Sequence, residues 1–135
     1  MKHLHFDVET AGFYGAYWAC AGGSDCAVIA MIGDDPENRL ARSAVKWLCG
    51  QGVNVLTMSP AKKDYGHHNY PLERVETAIS WLKANGNHKI GIAGASTTGT
   101  LALTAAAMFP DVTLTIAMTP SDFVWQGFMQ GKRDG

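Results

Sequence analysis

Ser96 is the residue whose neighbours best equip it to act as a nucleophile. Residues 89–104 read KIGIAGASTTGTLALT. Ile90, Ile92 and Ala93 lead into Gly94-Ala95-Ser96-Thr97-Thr98-Gly99, and a small, apolar stretch over 100–108 follows. That order predicts a strand, a tight turn and a buried helix. A serine at the apex of such a turn is pushed out beyond the sheet edge. The helix N-terminus lies directly behind it, with free N–H groups that favour negative charge. Gly94 and Gly99 are small enough to let strand and helix approach closely. A hydroxyl so placed could act as a nucleophile, provided a base takes its proton. The alternative for Ser96 is a small residue filling a strand-to-helix turn, with no chemistry.

Other residues could also do chemistry. His3 and His5 share one face of an alternating segment and could bind a metal, although no third ligand is near. A plain exposed strand face is the simpler expectation, and no metal is expected. His67 and His68 lie in a polar loop, 59–70, that leaves the end of a parallel strand. Ligands gather at that end of open α/β sheets, so these histidines are candidates for substrate contact. Residues 21–25, AGGSD, carry two glycines but no following Gly-Lys-Ser/Thr, so a hairpin turn is expected there rather than a phosphate cradle. Cys20, Cys26 and Cys49 are odd in number and lack C-x-x-C spacing, which suits reduced thiols and a cytoplasmic location.

These residues must be held by a framework, and 135 residues suffice for one domain, 1–135, with a sizeable core. Net charge is −1, and the basic residues come only in isolated pairs, so no nucleic-acid footprint is expected. No apolar run reaches the length of about 18 residues that a membrane span requires. The N-terminus alternates polar and apolar residues, unlike a signal peptide.

Periodicity supplies the elements. Residues 2–9 alternate as a strand with one wet face, and 13–20 pair back on it. Residues 26–32, CAVIAMI, form a continuous apolar run, as in a strand covered on both faces. A helix starts near Asp34-Asp35-Pro36, capped by a carboxylate, and runs to about Leu48. Leu40, Ala44, Trp47 and Leu48 form its inner stripe, Arg39, Arg42 and Lys46 face water, and Gly50 or Gly52 stops it. A buried strand over 53–58 follows. Pro71 opens a helix to about Ala84, with Leu72, Val75, Ile79 and Leu82 inward. The strand and helix around Ser96 come next, then a strand over 112–118, then 123–135 without clear period. The sum is a hairpin followed by β-α-β-α-β-α-β, an α/β fold whose mostly parallel sheet carries helices on both faces.

Several stretches in this order resemble one group of α/β-hydrolases. It is the C-terminal domain shared by acyl-CoA thioester hydrolases and bile-acid-CoA:amino-acid N-acyltransferases, close to dienelactone hydrolase-like enzymes. The stretches are GFYGAY at 12–17, AVIAMIG at 27–33, YPLERVETAISWL at 70–82, GIAGAS at 91–96 and TPSDFVWQG at 119–127. The bend at Ser96 resembles that family's nucleophile elbow, G-x-S-x-G, with Thr98 where the second glycine stands and Gly99 one residue later. The resemblance implies an acyl thioester or ester as substrate, no cofactor, Ser96 as nucleophile, and Thr97 N–H as one oxyanion donor. The second donor is expected from Gly33-Asp34-Asp35, at the Asp34 N–H, with the Asp34 side chain turned away. Family members complete the triad with an Asp and then a His. No histidine follows Ser96, so the chain is expected to be the N-terminal portion of such a hydrolase, catalytically incomplete alone.

Two rivals differ in class. A Rossmann-type nucleotide-binding domain would use Gly91, Gly94 and Gly99 as its glycine turn. That turn normally follows the first strand, and no acidic residue ends the next strand here. A non-catalytic half-hydrolase would instead form a homo-oligomer that covers its exposed sheet edge.

Overall fold

The computed structural model describes residues 3–33, 35–59 and 70–123, and the backbone of 127–129 and 132–134. Strands β1 (Leu4–Phe6) and β2 (Gly15–Trp18) flank the short helix α1 (Val8–Ala11). Then come β3 (Cys26–Met31), α2 (Arg39–Gly50), β4 (Asn54–Met58), α3 (Glu73–Ala84), β5 (Lys89–Ala95), α4 (Thr97–Met108) and β6 (Val112–Met118). A separate hairpin, β7 (Gly127–Met129) and β8 (Lys132–Asp134), follows in the region where the sequence has no period.

The main sheet has the order β1-β2-β4-β3-β5-β6. β1 and β2 pair antiparallel, as do β2 and β4, while β4, β3, β5 and β6 run parallel. The first strand is shorter than the alternation suggested. Asp7 accepts a hydrogen bond from Thr10 N at 2.9 Å, which starts α1 and ends β1 at Phe6.

Period-two alternation divides the core. Ala27, Ile29 and Met31 of β3 point to the face covered by Val75, Ala78, Ile79 and Leu82 of α3 and Ala102 and Ala105 of α4. Val28 and Ala30 point to the opposite face, against Val45 of α2. Handedness dictates this split. The β3-to-β4 crossover moves one way along the sheet, and the β4-to-β5 and β5-to-β6 crossovers move the other way. Right-handed connections therefore put α2 on one face and α3 and α4 on the other.

α2 departs from expectation at its start and on its inner face. Its N-cap is Asn38, whose side chain accepts from Ala41 N at 2.9 Å, and not an aspartate. Asp35 instead caps the turn before it, accepting from Glu37 N at 2.7 Å. Ala41 and Val45 are buried, whereas Leu40 and Trp47 are 58% and 64% exposed. The small residues let the helix sit close to the sheet and the large ones fall to its flank. Arg42 lies over the Trp18 ring on the β2 side, 5.6 Å from its centroid. Leu40 and Trp47 project roughly 150° round the helix from Arg42.

On that same sheet face, Leu114, Ile116 and Met118 of the edge strand β6 are also exposed. They pair in register with Gly91, Ala93 and Ala95 of β5. α4 is less enclosed than its composition suggests, since Leu103 and Met108 are exposed.

A buried polar network closes the end of the sheet opposite Ser96. Asn54 Oδ1 accepts from Cys20 N at 2.9 Å, and its Nδ2 donates to Ser24 O and to Asn87 Oδ1. Asn87, wholly buried, donates to Leu82 O at the end of α3. Asn54→Ala strands several of these groups at once. It should lower unfolding free energy by about 3 kcal/mol in urea titrations. An unchanged midpoint would show the network to be dispensable.

Candidate active site

β5 delivers the chain to a sharp bend. Ser96 has φ +54° and ψ −120°, a conformation suited to glycine, and it is exposed. Its N–H donates to Met118 O of β6 at 2.9 Å and its carbonyl accepts from Thr100 N at 3.1 Å. The bend is therefore held from both sides while the side chain stays outside the strand and the helix. α4 starts at Thr97, immediately behind it.

The close approach of strand and helix at the bend is extreme. A Cβ on Gly94 would sit 2.0 Å from the Thr98 carbonyl oxygen. A Cβ on Gly99 would sit 3.0 Å from the Met118 carbonyl oxygen and 3.3 Å from that of Gly94. Thr98 is buried, and its hydroxyl accepts from Ala95 N at 2.9 Å and donates to Met31 O at 2.6 Å. A glycine at this position could make neither bond.

The bend opens at a topological switch point. β3 and β5 are neighbours with Met31 opposite Gly94. The chain leaves β3 toward α2 on one face and leaves β5 toward α4 on the other, so a crevice forms beyond the paired carboxyl ends. Ser96 and Thr97 lie on one side of it. Gly33 and Asp35 lie on the other, while Asp34 itself is outside the described residues, as are His67 and His68.

The loop beyond β3 is acidic, and its described carboxylates, Asp35 and Glu37, are occupied. Asp35 accepts from Glu37 N, and the Glu37 carboxylate takes both His3 Nε2 and His5 Nδ1, the latter at 2.9 Å. The two histidines thus share a face and a partner, in a hydrogen-bonded clamp joining β1 to this loop. His3 also stacks on Trp18. Among the described residues, no group of three or more His, Cys, Asp or Glu could hold a metal ion. Nearby, burial raises the Tyr14 phenol pKa, and the charges of Asp35 and Glu37 raise it further. Spacing along the sequence could not reveal this clamp, because Glu37 lies 34 and 32 positions from His3 and His5.

No described histidine serves Ser96 as a base. His3 and His5 are held by Glu37. His88 precedes β5 at its far end, roughly 25 Å away at about 3.3 Å per residue. Asp111, ahead of β6, pairs with Lys83 at 2.6 Å. The three cysteines are free thiols. No described helix is long and apolar enough to cross a membrane.

The fold and the bend define an α/β-hydrolase-type architecture, and solved structures bear this out. A candidate alpha/beta hydrolase of unknown function from Agrobacterium tumefaciens superimposes with TM-score 0.67 at 14% identity, over 90% of this chain and 63% of its own. An esterase from Pyrococcus furiosus gives 0.63 at 19%, over 87% and 56%. Dienelactone hydrolase from Anabaena variabilis gives 0.63 at 22%, over 84% and 60%. This chain therefore spans about three-fifths of the length of those proteins. No protein-family profile and no curated protein matches the sequence.

Proposed function

We propose that this chain carries the nucleophile of a serine hydrolase acting on a small-molecule ester or acyl thioester, with acyl-CoA as the thioester class. Ser96 Oγ bonds to the carbonyl carbon as its proton passes to a base that the described residues do not supply, Thr97 N–H and Asp34 N–H receive the oxyanion, and its collapse expels the alcohol or thiol to leave an acyl-serine. His67 and His68 are assigned to substrate contact. Gly94, Thr98 and Gly99 set the geometry of the bend. No cofactor takes part. The observation that carries this reading is Ser96 itself, exposed at a glycine-type φ between a parallel strand and a helix.

The test is covalent. A fluorophosphonate should add to the intact chain and map to the peptide containing Ser96, with no addition to Ser96→Ala. Equal labelling of the two would remove Ser96 as nucleophile. Comparing how strongly p-nitrophenyl acetate and acetyl-CoA slow that labelling then separates ester from thioester preference. A non-catalytic homo-oligomer is favoured by a different observation, the β6 edge, which pairs only with β5 among the described residues and carries exposed apolar side chains. Concentration-dependent sedimentation without phosphonate labelling would select it.

A further inference from the structure

The position where the elbow pattern expects its second glycine holds a buried threonine with an unusually full set of partners. Thr98 is 4% exposed. Its Oγ1 accepts from Ala95 N at 2.9 Å, inside the bend. It donates to Met31 O at 2.6 Å, the last residue of β3, with Ala95 O at 2.9 Å as an alternative acceptor. These contacts cross the crevice floor. One hydroxyl therefore joins the two strands whose carboxyl ends form the crevice walls.

We propose that Thr98 is a positioning residue that locks the Ser96–Thr97 bend against the end of β3. The inference rests on the reading of Ser96 as nucleophile for its consequence, although the tether can be measured separately. Backbone pairing between β3 and β5 ends at Met31 and Gly94, so it does not reach the bend. The Ser96 N–H bond to Met118 holds the bend only from the β6 side. The Thr98 hydroxyl supplies the restraint from the β3 side. Without it, Ala95 N–H and Met31 O lose a buried partner. The hydroxyl of Ser96 and the amide of Thr97 would then shift relative to the opposite wall. Small misplacements of reacting groups are costly in rate.

The test compares wild type with Thr98→Val, which keeps the shape and removes the hydroxyl, and Thr98→Ser, which keeps the hydroxyl. Two readouts are taken on the full chain. In fluorophosphonate labelling, T98V should lower the maximal inactivation rate at least 10-fold with little change in probe affinity, while T98S stays within about 3-fold of wild type. A merely structural loss would lower the reactive fraction without this split. In native-state hydrogen exchange, the Ala95 amide should exchange at least 10-fold faster in T98V, while the amide of Leu56 in β4 is unchanged. Equal Ala95 protection in T98V and wild type overturns the tether, as does an equal loss of labelling rate in T98V and T98S. A wild type that labels no faster than S96A would remove the nucleophile reading, and exchange at Ala95 would then decide the tether alone.

Discussion

Gly94→Ala should unfold this protein or leave it insoluble. The added methyl would lie 2.0 Å from the Thr98 oxygen, 2.4 Å from its carbonyl carbon and 2.9 Å from Gly99 N. All three are backbone atoms, so no side-chain rotation relieves the contact. The end of β5 and the first turn of α4 would have to separate by more than 1 Å, an order-of-magnitude reading of that overlap. Separation breaks the Ser96-to-Met118 and Thr98-to-Met31 hydrogen bonds and opens the core under Ala102 and Ala105. Ordinary overpacking costs about 1–3 kcal/mol, and a backbone collision should exceed about 4 kcal/mol. That is a large share of the roughly 5–15 kcal/mol that stabilises a domain. Gly50→Ala is the control, because a Cβ there meets nothing within 4 Å. Soluble yield and urea midpoints compare the two. A Gly94→Ala protein within 1 kcal/mol of wild type, on the scale of ordinary surface substitutions, would mean that the bend is not built this way.

Ser96→Gly should act in the opposite sense on stability while abolishing any nucleophilic chemistry. A non-glycine residue held at such a φ costs about 1–3 kcal/mol. Glycine removes that cost but adds freedom to the unfolded chain, a penalty of about 0.5–1 kcal/mol. The net gain should be about 1 kcal/mol, or roughly 4 °C in Tm for a chain of this size. Ser96→Ala keeps the Cβ and its strain, so its Tm should match wild type. Both variants should be inert to fluorophosphonate. A serine kept in a conformation that glycine would occupy more cheaply is the pattern expected where chemistry sets the residue. If the glycine variant melts lower than the alanine variant, backbone strain at 96 is absent.

Much of the framework was legible from residue order because it depends on local patterns. CAVIAMI reads as a strand covered on both faces, and Val28 and Ile29 do pack against opposite layers. Val75, Ile79 and Leu82 repeat at helical spacing and are buried as that spacing requires. The bend at Ser96 follows from strand, glycine and helix signals within a dozen residues.

The errors arose where distant partners decide. Leu40 and Trp47 look like an inner stripe because hydrophobicity ranks them above Ala41 and Val45. The sheet selects the smaller pair for closeness. Residues 2–9 alternate beyond Phe6, but the Asp7 cap interrupts the strand. The site was read only in part for a related reason. Ser96 and Thr97 are identified by neighbours in sequence, whereas the Glu37 clamp on His3 and His5 and the bond from Thr98 to Met31 join residues 32 to 67 positions apart.

The exposed apolar side chains Leu114, Ile116 and Met118 on β6, with Leu40 and Trp47 on α2, change how this molecule would behave at the bench. Environment-sensitive dyes such as anilinonaphthalene sulfonate normally light up when a fold loosens. Here the native surface already offers them exposed apolar side chains. Dye-monitored melting should therefore begin bright and give a shallow or inverted transition, and circular dichroism becomes the sounder thermometer for every variant above.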